Sequence, residues 1–116
     1  MINRGAILLK YKEPAVQWIN EADPNDKDPG ISMESVNEER TVYLITNEDA
    51  NGPEAVSNWI RANYEVLFEN ELEGWYTLES LWPENRNFTL FNEWFDVECH
   101  SIIEDTVDMP IYDDET

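Results

Sequence analysis

The sequence predicts an α+β or α/β fold, a small sheet of three to four strands covered by helices in the order β-α-β-α-α-β. Three observations predict it. Ala6-Ile7-Leu8-Leu9 is an unbroken apolar run bounded by Gly5 and by Lys10-Tyr11-Lys12. Thr41-Val42-Tyr43-Leu44-Ile45-Thr46 is rich in β-branched and aromatic residues, and Val56, Ile60, Tyr64, Leu67 and Phe68 recur at helical steps.

Residues 5 to 11 form the first strand, whose continuous apolar run suits burial on both faces. Pro14 follows at a first helical position, and Ala15, Trp18 and Ile19 then share one face of a short helix. Asp23 to Gly30 is dense in turn formers and poor in apolar groups, which predicts a mobile surface loop over about 21–31. A helical turn within 32–39 is opened by Ser35 and Glu38 at capping-box spacing. The strand at 41–46 is expected to be the central one, with connections long enough for parallel crossovers.

Pro53 opens the principal helix, about 53 to 70, and Gly74 marks its end. The stretch 75–87 holds Trp75, Tyr76, Leu78, Leu81 and Trp82, too apolar for a free linker, and is expected to fold back on the core. Asn87 or Thr89 caps a second helix in which Phe88, Phe91 and Phe95 form one stripe. From Val97 the pattern alternates: Val97, Cys99, Ser101 and Ile103 point one way, Glu98, His100, Ile102 and Glu104 the other. A third strand fits that period, with a helix running on through 97–105 as the competing reading. The whole of 1–116 reads as one domain ending in a frayed acidic tail at 112–116.

Charge is the property furthest from average. Twenty-six acidic side chains against seven basic ones give a formal charge of -19, with eleven acids and five bases before residue 59 and fifteen acids and two bases after it. Such a field repels nucleic acid and anionic membranes and speeds encounter with basic partners. Five Trp, five Tyr and four Phe are more aromatic surface than an acidic disordered chain carries, so the chain is expected to fold. The lone Cys99 and the absence of a signal-like start predict a cytoplasmic location.

Glu71-Leu72-Glu73-Gly74-Trp75-Tyr76, then Leu81-Trp82-Pro83 with Arg86, then Phe91, Trp94-Phe95, Glu98, His100-Ser101 and Asp105 resemble a group of small acidic bacterial proteins. The likeness extends to Gly5–Trp18, to Thr41–Ile45 and to the acidic tail. It implies a bacterial cytoplasmic domain and brings no catalytic residue with it.

Two functional readings follow. The first is a non-enzymatic module that engages a basic protein partner through carboxylates, Glu65, Glu69 and Glu73 on one helix face, with Trp75 and Trp82 as exposed aromatic contacts. Its extreme form is DNA mimicry, since a duplex about 35 Å long carries about 20 phosphates, comparable with this charge. The second is a metal-dependent enzyme or metal sensor in which Glu98, His100 and Glu104, on one face of a strand, hold a divalent metal. Exposed strand faces also carry Glu and His without a ligand, so a solvated face competes with it. No cofactor is predicted beyond that metal. No Gly-x-Ser-x-Gly elbow or Gly-rich phosphate loop occurs, and Asp23 to Asp28 lacks the twelfth-position Glu of a calcium loop.

Overall fold

The computed structural model describes residues 1–23 and 30–113. The centre of the loop expected to be mobile, 24–29, and the tip of the tail, 114–116, lie outside the described residues. The order is β1 (Arg4–Tyr11), α1 (Glu13–Glu21), α2 (Met33–Val36), β2 (Val42–Thr46), α3 (Pro53–Trp75), a 3-10 turn (Glu79–Leu81), α4 (Phe88–Trp94) and β3 (Phe95–His100). These form an α+β fold whose three strands lie in the order β2-β1-β3.

The sheet is antiparallel throughout, with Ala6 opposite Leu44 on one side and opposite His100 on the other. This corrects the expected strand order: β1 is central and β2 is an edge. The reason lies in the side chains. Ile7, Leu9 and Tyr11 enter the core from one face of β1, and Ala6 is buried on the other. In β2 only Ile45 is fully buried, and Val42 and Leu44 meet solvent, as befits a strand with one neighbour.

Gly5 owes its place to close approach, because a Cβ there would lie 2.3 Å from the Cβ of Ala50. The turn after β2 is thereby pressed against β1. Gly52 caps α3 at a φ of 96°, a conformation that glycine adopts without strain.

α3 runs past the expected end near residue 70 because Leu72 continues the buried stripe of Leu67 and Phe68. Gly74 falls inside its last turn, and the Tyr76 N–H closes the helix on the Leu72 carbonyl at 2.9 Å. The capping box before α2 uses Ser32 and Ser35 rather than Ser35 and Glu38: Ser35 N–H donates to the Ser32 hydroxyl at 3.0 Å, and Ser32 N–H donates to Ser35 Oγ at 3.0 Å. Asn87 caps α4, accepting from Leu90 N–H at 2.8 Å.

The third strand is present but begins at Phe95 and ends at His100, so 101–105 is neither strand nor helix. Its last partner on β1 is Ala6. Beyond that the segment is held by the Ile2 N–H donating to the Ile103 carbonyl at 2.8 Å.

The core is aromatic at its centre. The Phe68 ring meets Phe91, Trp94 and Phe95 at centroid distances of 5.8, 5.4 and 5.6 Å, all at steep interplanar angles that suit ring quadrupoles. The stretch after α3 folds back as expected, and hydrogen bonds show how. Trp18 Nε1 donates to the Leu81 carbonyl at 2.9 Å, Trp82 Nε1 to the Tyr76 carbonyl at 2.7 Å, and the Tyr76 hydroxyl to the Ile19 carbonyl. Asn20 closes the loop after α1, donating to the Ile31 carbonyl at 2.9 Å and accepting from Ile31 N–H at 3.1 Å.

Candidate functional site

Among the described residues β3 has a strand neighbour only on its β1 side, which leaves its outer edge unpaired. Beneath that edge runs a groove of about 730 Å³. Its floor comes from Val56 and Ile60 of α3, Phe88 of α4, and Phe95, Val97 and Cys99 of β3. The alternation read from Val97 onward explains the floor, since Val97 and Cys99 turn toward the helices while Glu98 and His100 turn away. Ser57, Asn92, Asp96 and Ser101 add polar groups to the lining, and Arg61 stands 4.6 Å over the Phe88 ring.

Cys99 is half-buried in this groove, and burial pushes its thiol up. Its thiolate fraction at neutral pH is therefore lower than that of an exposed cysteine.

The carboxylates expected to meet a partner are placed unevenly. Glu65 and Glu69 join Glu84 around a concavity of about 210 Å³ that also takes Arg86. The Arg86 guanidinium lies 3.9 Å from Glu69 and 3.7 Å from Glu79, and 5.5 Å above the Trp82 ring. One cation thus answers several acids, which relieves the like-charge spacing along α3. Glu73 is exposed one turn further on. Trp75 is 36% exposed, whereas Trp82 is packed against the core and bonded through its N–H.

Glu98 and His100 do share a face of β3, opposite Leu8 and Ala6. Glu98 is engaged by Arg40 at 3.1 Å, and Glu104 by the amino group of Met1 at 2.7 Å. Among the described residues no three His, Cys, Asp or Glu side chains gather at metal-ligand spacing. Two of the three expected ligands, Glu98 and Glu104, are thus taken by the chain's own cations.

A polar network escaped the reading of the sequence. Glu71 accepts from the Tyr11 hydroxyl at 2.8 Å and, through its other oxygen, from the Tyr43 hydroxyl. Trp75 Nε1 donates to the Tyr11 oxygen at 2.9 Å and Asn70 Nδ2 to the Tyr43 oxygen at 2.8 Å. Burial, reinforced by the adjacent Glu71, holds both phenols well above the usual tyrosine range. Both therefore remain donors, and the network ties α3 to β1 and β2. The one signal for it in the sequence is Glu71 beside the apolar Leu72, and the helix predicted over about 53 to 70 stops short of both.

Comparison with protein-family models, with curated proteins and with solved structures finds no match. No helix among the described residues is long and apolar enough to cross a membrane.

Proposed function

We propose that this chain is a non-enzymatic binding module that takes an extended, basic segment of a partner protein along the edge of β3. The observation that carries the reading is the coincidence of an unpaired strand edge with a groove of about 730 Å³ directly beneath it. An added strand gains main-chain hydrogen bonds at such an edge, and its alternate side chains find the groove, which is the mode of β-augmentation. The apolar floor selects apolar residues at every second position of the ligand. The formal charge of -19 selects bases between them and raises the association rate. Glu65, Glu69 and Glu73 add to that field from α3.

Selection from a random-peptide display library tests the proposal. Ligands with alternating apolar and basic residues are expected, binding weakly at high salt and losing affinity when Cys99 is alkylated with a bulky reagent. Ligands indifferent to Cys99 alkylation, or enriched in acidic residues, refute it.

A further inference from the structure

The face of the sheet turned away from the helices is apolar at its centre. Ile7, Leu9, Ile45 and Phe95 belong to the core, so Ala6 and Leu8 of β1 and Val42 and Leu44 of β2 occupy the opposite face. Val42 is 54% and Leu44 51% exposed, so nothing among the described residues covers their half of the face.

This face also gathers positive charge in an acidic chain. Arg4 and Lys10 share the register of Ala6 and Leu8, Lys12 follows them to reach Asp96 at 3.9 Å, and Arg40 reaches Glu98 at 3.1 Å. Four of the seven basic side chains thus border one apolar strip, against two acids on the same face, Asp96 and Glu98, which pair with Lys12 and Arg40. Arg40 Nη1 is buried and, though close enough for the ion pair, has no well-directed hydrogen bond. Arg4 and Lys10 make no ion pair among the described residues, in contrast to Arg86 with its two carboxylates.

The C-terminal segment has the opposite character. Between residues 101 and 113 it holds Glu104, Asp105, Asp108 and Asp113 and no base. Apart from the half-buried Ile103, its large apolar side chains are exposed, from 54% at Val107 to 78% at Tyr112. Its root is fixed at Met1 and Ile2, through the amino group on Glu104 at 2.7 Å and the bond to Ile103 at 2.8 Å.

We infer that the open face of the sheet seats the C-terminal segment of a second copy of this chain, two copies exchanging segments about a two-fold axis. The pairing is complementary in both respects, an acidic apolar segment on a basic apolar strip. Two copies at -19 repel each other overall, and Arg4 and Lys10 weaken that repulsion at the strip. Size agrees as well. A stable interface takes about 20–30 residues a side, and each copy would contribute the segment 101–113 and about ten residues of its sheet face. Exchange in both directions closes the assembly as a dimer. The groove beneath β3 lies on the other face and remains open.

Sedimentation of the full chain over a wide concentration range tests this with a pair of charge exchanges. Arg4→Glu with Lys10→Glu makes the seat acidic, and Asp105→Lys with Asp108→Lys makes the segment basic. Each double variant alone sets like charges together at both contacts, and its dimer dissociation constant is expected to rise about tenfold or more. An equimolar mixture restores opposite charges at both contacts and is expected to form a heterodimer. Leu44→Asp is expected to sediment as a monomer, with an unchanged circular dichroism spectrum because the residue is exposed. A parent chain that is monomeric throughout overturns the inference, including the case in which the segment folds onto its own sheet. So does a parent dimer that the charge exchanges leave intact, or a mixture that stays monomeric.

Discussion

Replacing Tyr11 with Phe tests whether the phenol–carboxylate network holds the long helix to the sheet. The ring keeps its packing against Phe95, 4.9 Å away, and only the hydroxyl is lost. Glu71 then loses one of its two phenol donors, and Trp75 Nε1 loses its acceptor. Hydrogen bonds to charged groups contribute about 1.5–3 kcal/mol. Trp75 is exposed enough for water to replace its acceptor, so a loss of about 2 kcal/mol at pH 7 is expected from the Glu71 side. Alkaline pH supplies the sharper readout. Burial raises the Tyr11 phenol above its unfolded value of 10.0, so its contribution is complete below that pH and is lost as pH rises further. One such group costs about 1.4 kcal/mol at pH 11, a cost the Phe variant does not bear. Urea unfolding followed by tryptophan fluorescence should therefore show the gap between parent and variant narrowing, from about 2 kcal/mol at pH 7 to about 0.6 at pH 11. An absent gap at pH 7, or one that is constant with pH, would show that the Tyr11 hydroxyl does not hold α3 to the sheet.

Phe68→Ala removes a side chain with no exposed surface from the aromatic centre and should cost about 3–5 kcal/mol in urea unfolding. Gly5→Ala drives a methyl into Ala50 and should cost about 1–3 kcal/mol, and the added change Ala50→Gly should recover part of it in a double-mutant cycle. Cys99 should react with iodoacetamide at pH 7.5 more slowly than a cysteine in a short peptide, because burial raises its thiol and lowers the thiolate fraction; equal rates in a timed alkylation would contradict this.

The elements themselves were legible where one physical signal dominated. The apolar run at Ala6–Leu9, the β-branched run at 41–46 and the helical spacing from Val56 to Phe68 each became the predicted element. Boundaries were less legible, because a local rule met a tertiary one. The helical spacing was read only to about residue 70, yet burial of Leu72 carries α3 on to Trp75, next to the Gly74 read as its stop. The groove was half visible, in that the alternation placed Val97 and Cys99 on one side of β3. Its other wall comes from Val56, Ile60 and Phe88, which are remote in sequence.

An acidic chain of mixed helices and strands was legible from the residues alone, because charge and hydrophobic period are properties of neighbouring residues along the chain. Only the tertiary structure decided that β1 lies at the centre of the sheet, that Glu71 receives Tyr11 and Tyr43, and that four of the seven bases meet on one open face. The physical reason is the same in each case. Strand pairing and side-chain convergence join residues far apart along the chain, and no local pattern records which of the available partners they take.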